Sequence, residues 1–283
     1  MASSKHKLSK CEKSIYKTLS YFAIFNYPVS LYRLSTFLIA DEPYTLTQLQ
    51  TSIRALIQAK LITEHKGLFS IRGSKKVDSV ARGMLSMQAI KQVQAVAPVI
   101  SRIPWIRLLG ITGSCAAFNK EESGDIDVFI VTKRHRVWLT RFFLVVLLKI
   151  LHLYRTDASY VSKICPNLIV AEDSMAWDHD KNVFVAHEIC AMHPILDRDE
   201  TYFKFLTQNA WIRSYFPHFM HTSLDMVSPM YQASCVDYIE LLSMKLQIFY
   251  MRRHLTKEVV TKSFIHFNKT DTKEQVLNKF HSS

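Results

Sequence analysis

Residues 105–132 read WIRLLGITGSCAAFNKEESGDIDVFIVT, and this stretch decides the fold of the central part of the chain. It holds three of the six glycines among 283 residues. An apolar strand from Trp105 to Ile111 is predicted to run into Thr112-Gly113-Ser114, where a short helix begins and continues to about Lys120. A second strand follows from Asp125 to Val131. The pattern predicts a strand–helix–strand unit in which the few glycines mark special backbone positions.

The residues at the two junctions of this unit suit phosphate and metal chemistry. Gly113 has no side chain, so a phosphate can approach the backbone closely, and Ser114 lies at a helix N-terminus, which favours an anion. Asp125 and Asp127 stand two apart on a predicted strand, so their carboxylates face one side. Paired carboxylates are what a Mg²⁺ site needs, with substrate phosphates completing the shell. The alternative is an ordinary strand–helix–strand unit with acidic residues at its edge.

The first part of the chain has the pattern of a winged helix-turn-helix, with three helices followed by a glycine-tipped hairpin. Ser30 can cap the second helix, and Thr45 with Gln48 forms a capping box for the third. Such a domain binds duplex nucleic acid through its third helix and wing, or serves as a protein-contact module, and the sequence leaves both roles open. The hairpin strands are predicted at Leu61–Glu64 and Leu68–Ile71. The exposed positions of the third helix are predicted to be Gln50, Ser52, Arg54 and Gln58.

The remaining pattern predicts a helical linker and a helical end to the chain. A long helix from Lys75 to Val96, ended by Pro98, joins the first part to the strand–helix–strand unit. Apolar residues at helical spacing predict a further helix from Asp237 to His254 that packs on one face. The predicted domains are 1–76 (winged helix-turn-helix), 77–200 (linker helix and the domain with the strand–helix–strand unit) and 201–283 (helical C-terminal region).

The order of these parts and the central motif together resemble the DNA polymerase β-like nucleotidyltransferase superfamily. Its signature is a Gly-Ser pair, some ten residues and then Asp-hydrophobic-Asp-hydrophobic. The chain has Gly113-Ser114 and, after ten residues, Asp125-Ile126-Asp127-Val128, and Asn119 and Ser123 also fit. With the later segments ICPNLIV and NAWIRSYFP, the chain is similar to an uncharacterised prokaryotic subgroup of predicted nucleotidyltransferases.

The resemblance implies an α+β fold, with a nucleotidyltransferase-like mixed sheet and flanking helices, and a third carboxylate from a later strand. Ile164–Ala171 is the best later strand, and it ends in Glu172-Asp173. We expect Glu172 to be the third carboxylate, with Asp173 and Glu188 as substitutes. This departs from the family's cleaner strand pattern, so a degenerate site stays an alternative.

The resemblance also implies the reaction, a Mg²⁺-dependent transfer of a nucleoside monophosphate from an NTP, with ATP the expected donor, to a hydroxyl of unknown identity. Asp125 and Asp127 would bind the metal and act in catalysis with Glu172. Gly113, Ser114 and Lys133 would hold the triphosphate, although Lys133 fits a solvated basic loop equally well. The rival hypothesis is a non-enzymatic winged-helix regulator that binds nucleic acid or a partner.

The charge distribution bears on the partner. The chain carries a net charge of +12. Residues 1–76 have twelve Lys or Arg against four Asp or Glu, which gives +8, whereas residues 77–160 carry +5 and residues 161–283 carry −1. A basic first part predicts contact with a polyanion, either nucleic acid or nucleotide phosphates, or else a soluble basic face.

Composition favours a globular cytoplasmic protein with no membrane partner. Hydrophobic residues make up 48% and charged residues 21%, which excludes a disordered chain. Five cysteines without a CxxC pair are expected to be reduced thiols. The polar start from Met1 to Lys10 predicts no secretory signal.

The longest apolar run, Phe142–Leu148, is too short to span a bilayer and predicts a buried helix. His179, His187 and His193 lack the spacing of a zinc protease.

Overall fold

Two β-sheets with flanking helices make up the part of the chain that a computed structural model describes, residues 7–156, 158–178, 180–219, 236–251, 259–266 and 272–282. One sheet has three strands and the other has six, and the larger sheet mixes parallel and antiparallel pairs. The prediction of an α+β protein with a mixed sheet is confirmed at this level. His179 and the end of the tail helix, including His254, lie outside the described residues.

The first sheet belongs to the N-terminal unit. Its elements are α1 (Lys10–Ala23), β1 (Val29–Ser30), α2 (Leu31–Thr36), α3 (Leu46–Gln58), β2 (Ile62–His65) and β3 (Leu68–Ile71). The strands are antiparallel in the order β1-β3-β2. Ser30 caps α2, and Thr45 with Gln48 forms the capping box of α3, as predicted. Ser52 is buried rather than exposed, whereas Gln50, Arg54 and Gln58 are exposed.

The linker helix continues past its predicted end. It is α4 (Ser79–Ile100), and Pro98 lies inside it, so the prediction that Pro98 ends the helix is wrong. Proline has no backbone N–H, so Pro98 removes one hydrogen bond from the last turn of the helix. The bond that closes this turn is kept, since the N–H of Ser101 donates to the carbonyl of Ala97 at 2.8 Å.

The second sheet carries the central motif. Its elements, with the helices between them, are β4 (Ile106–Ile111), α5 (Gly113–Ala116), β5 (Ile126–Thr132), α6 (Val137–Ile150), β6 (Ile164–Ala171), α7 (Val183–Ala191), β7 (His193–Asp197), α8 (Thr201–Gln208), α9 (Val236–Met251), β8 (Val259–Val260), β9 (Phe264–His266) and α10 (Thr272–His281), and a 3₁₀ turn spans Ala210–Ser214. The strand order is β7-β4-β5-β6-β9-β8. β5 and β6 are parallel and α6 connects them, whereas the other neighbours are antiparallel.

Helix α5 is shorter than predicted, since it ends at Ala116 instead of about Lys120. Phe118 takes a left-handed φ of 58°, which an α-helix cannot continue through. The chain then turns, and Lys120 is buried with its ammonium group donating to the carbonyls of Glu121 and Gly124 at 3.0 and 2.6 Å. The buried lysine head is thereby paired with backbone acceptors.

Helices α6 and α9 pack against each other through a polar contact. The buried carboxylate of Glu240 accepts hydrogen bonds from the backbone N–H groups of Trp138 and Leu139 at 2.7 and 2.9 Å. These first-turn N–H groups of α6 have no partner within their own helix, so Glu240 acts as their cap. The prediction of a fully buried α6 is wrong, because Phe142 and Phe143 are exposed. The apolar residues that the spacing places on the packed face of α9, namely Ile239, Leu242, Leu246 and Phe249, are also exposed, so that prediction is wrong.

One cluster of buried apolar side chains joins the N-terminal unit to α7, α8 and one face of the second sheet. It contains Leu19, Phe22 and Phe37 of the first part together with Ala186 and Phe216. A second cluster fills the other face of the sheet, between α4 and α6. The first cluster contains residues from all three predicted segments, 1–76, 77–200 and 201–283, so these segments share one hydrophobic core. Within the described residues, no helix has the length and apolar character to cross a bilayer.

Candidate functional site

The two aspartates lie where β5 begins. Asp125 directly precedes the strand and Asp127 is its second residue. Cys165 is paired with Asp127 in the neighbouring parallel strand β6. One ligand atom of each of these three residues lies within 4.8 Å of the other two. Two carboxylates and one thiol therefore form a compact cluster at one edge of the sheet.

Gly113 forms the wall of this cluster at the end of β4. Its φ is +63°, a left-handed conformation that favours glycine. A Cβ atom at this position would lie 3.0 Å from Oδ2 of Asp127, so a side chain here would press on that carboxylate. The N–H of Thr112 donates to the carbonyl of Asp127 at 3.0 Å, which ties the two strand ends together. Ser114 is exposed beside this turn.

Glu188 on α7 reaches the same turn from the other side. The backbone N–H of Gly113 donates a hydrogen bond to its Oε2 at 3.1 Å. Burial raises the pKa of Glu188 to about 6, although the hydrogen bond from Gly113 opposes the shift. Burial, followed by the charges of Asp125 and Glu188, raises the pKa of Asp127 to about 7. Three carboxyl groups thus share one confined site, where their like charges work against each other.

Arg155 supplies a cation of the site. Its Nε lies 2.6 Å from Oδ2 of Asp125, and both side chains are partly exposed. The pKa of Arg155 is raised, because the attraction of Cys165, Asp125 and Asp127 outweighs its desolvation. Arg155 belongs to the segment between α6 and β6. Because β6 runs parallel to β5, this segment leads to the same end of the sheet as the start of β5. Asp125 is therefore neutralised by an arginine, whereas Asp127 keeps a raised pKa.

Glu172 and Lys133 lie at the opposite end of the sheet. Because β6 runs parallel to β5, the residues after β6 lie beside the end of β5 and far from its beginning. The pair Thr132–Ala171 is five positions from the pair that contains Asp127, or roughly 16 Å along the strands. The structure thus does not bring Glu172 or Lys133 to the aspartates, and the sequence assignment is corrected on this point.

The end of β6 has its own charge pairs. The carboxylate of Glu172 accepts a hydrogen bond from the N–H of Arg134 at 3.2 Å and lies 3.7 Å from Nε of Arg107. Asp173 pairs with the side chain of Arg134 at 2.7 Å. These groups hold two loops together at an edge of the sheet. Of the three carboxylates considered for the third position, only Glu188 contacts the Gly113 turn.

His187 is buried next to Glu188 in α7. Its ring makes edge contacts with the rings of Tyr21, Phe22, Phe37 and Phe216, with centroids 5.1 to 6.4 Å apart. Burial lowers the pKa of His187 to about 3, with a smaller contribution from the charge of Arg33. Its Nε2 atom is buried without a hydrogen-bond partner. Three of these four rings belong to residues 1–76, so the N-terminal unit packs directly on the helix that supplies Glu188.

Sequence reasoning missed Cys165 and Arg155. A signal for Cys165 exists, because the strands IDVFIVT and ICPNLIVA begin in register and pair Ile126 with Ile164 and Asp127 with Cys165. Aligning the starts of two parallel strands would have found it. Arg155 carries no such signal, since it follows a helix and reaches Asp125 only through the tertiary fold.

No protein-family model matches this chain, and a search of curated proteins finds no match for it. The likeness to the polymerase β-like superfamily remains a resemblance carried by residues 113–128. The functional conclusion therefore depends on the site's own geometry and chemistry.

Proposed function

We propose that this protein is a Mg²⁺-dependent nucleotidyltransferase that moves a nucleoside monophosphate from an NTP, with ATP the expected donor, to a hydroxyl acceptor and releases pyrophosphate. The observation that carries the proposal is the position of Asp125 and Asp127, which lie in one cluster directly against the side-chain-free turn at Gly113. Carboxylates beside a bare backbone turn can serve a metal and a phosphate at the same place.

The donor set fits a hard divalent cation. Asp125 and Asp127 would hold Mg²⁺, because carboxylate oxygens are its preferred protein ligands. The raised pKa of Asp127 supports this, since a carboxyl group kept partly protonated by burial and by its acidic neighbours gains from a cation. The thiol of Cys165 is a softer group and is not needed for Mg²⁺. When bound, the metal would neutralise phosphate charge and favour ionisation of the acceptor hydroxyl.

The chain's own groups supply the rest of the proposed mechanism. The N–H of Gly113 would donate to a phosphate oxygen once Glu188 has released it. Glu188, whose pKa is about 6, would then accept the proton of the acceptor hydroxyl. Arg155 would leave Asp125 and pair with the phosphates. These residues line part of a cavity of about 1960 Å³ that extends to side chains of α6 and α9, and this cavity has room for a nucleotide and an acceptor.

We propose that the N-terminal unit is a winged helix-turn-helix that contacts nucleic acid. Its element order and its antiparallel three-stranded sheet support this. Arg54 on α3 and Lys66 at the hairpin tip are exposed. The full-length protein should bind duplex nucleic acid with an affinity that falls steeply as salt rises, because lysine and arginine contacts release counterions. If no binding occurs even at low salt, the unit contacts a protein instead.

A second candidate is a non-enzymatic regulator with a degenerate nucleotidyltransferase site. The ion pair between Arg155 and Asp125 favours it, since an arginine occupies the charge that a metal would neutralise. The hydrogen bond between Glu188 and the N–H of Gly113 also favours a degenerate site, because it occupies an N–H group that would otherwise bind a phosphate. Both candidates fit a reducing cytoplasm, which we propose as the location, and the four described cysteines are free thiols.

The test is pyrophosphate release from each of the four labelled NTPs with Mg²⁺ and cell extracts as acceptor source. Wild-type protein should release pyrophosphate, and Asp127→Asn should not. Asp41→Asn, which changes an exposed aspartate of the N-terminal unit, is the matched control and should behave as wild type. A wild type that is stabilised by Mg²⁺ and NTP without turnover with any extract would favour the regulator. Turnover that survives Asp127→Asn would exclude the proposed metal site.

A further inference from the structure

Helix α9 carries an uncovered apolar seam. Its face toward α6 includes Glu240, Gln247 and Met251, and the opposite face is exposed. Apolar residues recur there at intervals of three, four and three, which is the spacing that packs one helix against another. The seam consists of Ile239, Leu242, Leu246 and Phe249, and Tyr238 and Tyr250 flank it. These six side chains are 52% to 78% exposed.

Helix α6 extends this surface. Four of its apolar side chains are 40% to 69% exposed, namely Phe142, Phe143, Val146 and Ile150. Phe142, Val146, Leu242 and Leu246 all line the large cavity that also contains Asp125 and Asp127. The exposed apolar side chains of α6 and α9 therefore belong to one face of the protein.

The size of the surface matches a stable interface. With about 150–250 Å² for a large side chain, the exposed fractions sum to on the order of 1,000 Å² per chain. Each partner contributes about 800 Å² to a standard stable interface, and the largest apolar patch of a typical monomer measures only roughly 300–600 Å². The uncovered area thus exceeds what a monomer leaves in water.

We propose that this face binds a second copy of the chain, so that α6 and α9 of two protomers form a four-helix interface around a two-fold axis. A two-fold interface uses the same patch on both chains, so that patch must complement itself. Here the exposed apolar side chains of α6 and α9 lie on one face, so the seam of one copy can pack against the seam of the other. The exposed charged side chains on the two helices include Lys149 and Lys245, so the face offers no dense charge that would select an oppositely charged protein.

The test is the mass of the full-length protein in solution, measured by light scattering during gel filtration over a wide range of concentration. Wild-type protein should have twice the mass of one chain and dissociate only on strong dilution. Leu246→Glu should give single chains at concentrations where wild type is dimeric, because it places a charge in the seam of both copies. Phe249→Ser, which adds no charge, should weaken the dimer in the same direction. Val80→Glu, at a 72% exposed position on α4, is the control and should stay dimeric.

The folded state of each variant is checked by its circular dichroism spectrum, which should match wild type, since the substituted side chains are more than half exposed. A wild type that is monomeric at every concentration would overturn the proposal without reference to any variant. So would a Leu246→Glu variant that stays dimeric. If the monomeric wild type instead floats with vesicles of anionic phospholipid, the face is a lipid-binding surface and the second copy is excluded.

Discussion

The backbone N–H of Gly113 and the carboxylate of Glu188 are joined by a hydrogen bond of 3.1 Å across 75 positions of sequence. Gly113 begins the short helix after the first strand of the central motif, whereas Glu188 belongs to a helix that packs on the N-terminal unit. The bond brings a third carboxyl group to the two aspartates and uses a donor that a phosphate would need. Loss or exchange of this bond is thus a step that the proposed reaction requires, and four predictions follow from its surroundings.

Replacing Asp127 with asparagine should stabilise the protein when no divalent cation is present. The substitution removes a charged carboxylate with an oxygen that lies within 4.8 Å of an oxygen of Asp125. At an effective dielectric constant of ~20 that repulsion is on the order of 3–4 kcal/mol before screening. Thermal melts at pH 8 should show a midpoint a few degrees higher. The same variant should lose the stabilisation that Mg²⁺ plus NTP gives to wild type. A lower midpoint without metal would show that Asp127 is needed for folding.

Glu188→Gln and Glu172→Gln should separate the geometric assignment from the sequence assignment. If Glu188 accepts the hydroxyl proton, Glu188→Gln should lower the rate of pyrophosphate release by about 10²–10⁴-fold. Its amide oxygen can still accept the hydrogen bond from Gly113, so the fold is expected to hold. Glu172→Gln should retain turnover, because Glu172 lies at the other end of β6. The opposite pattern of rates would restore Glu172 as the third carboxylate.

Gly113→Ala should destabilise the protein by about 1–2 kcal/mol, the cost of a left-handed conformation for a residue with a Cβ atom. The new methyl group would also press on Asp127, so nucleotide-dependent stabilisation should fall. Gly83→Ala is the matched control, since Gly83 lies in α4 with no atom within 4 Å of the added Cβ. That change should stabilise the helix by roughly 0.5–1 kcal/mol. Equal effects of the two substitutions would contradict the strain at Gly113.

His187→Phe should make the protein more resistant to acid. The pKa of this imidazole is about 3 in the folded state and 6.5 in the unfolded chain. Between these values the unfolded chain binds a proton here that the folded chain does not, so stability falls as pH falls, by up to ~5 kcal/mol. Denaturant melts at pH 7 and pH 4 should therefore show a smaller loss for the variant than for wild type. An equal loss in both proteins would mean that His187 becomes charged without unfolding.

The local features of the fold could be predicted from the sequence because local chemistry determines them. The capping box of Thr45 and Gln48 and the extent of β6, Ile164–Ala171, agree with the structure. The exposure of helix faces could not be predicted. Apolar spacing in α9 indicates a helix with an apolar side, but the buried side is the one whose Glu240 caps α6. A buried carboxylate that satisfies N–H groups about a hundred positions away leaves no pattern in the sequence.

The same limit applies to the candidate site. The spacing of Asp125 and Asp127 is local, and the structure brings both into one cluster. The sequence places the third carboxylate, Glu172, at the end of β6. Because β6 is parallel to β5, its end lies far from the beginning of β5, where the two aspartates are. Glu188 and Arg155 reach the cluster from a helix and a loop, so only the tertiary fold identifies them.

The aromatic rings around His187 have a practical consequence for any attempt to divide the protein. Tyr21, Phe22 and Phe37 come from the first part of the chain, and they cover the helix that carries Glu188. Residues 1–76 or the rest of the chain, expressed alone, would expose these apolar side chains to water, and we expect each product to be insoluble. In the intact protein the two parts should melt in one calorimetric transition. A polyanion bound to residues 1–76 would then raise the melting temperature of the whole protein without contacting the aspartates.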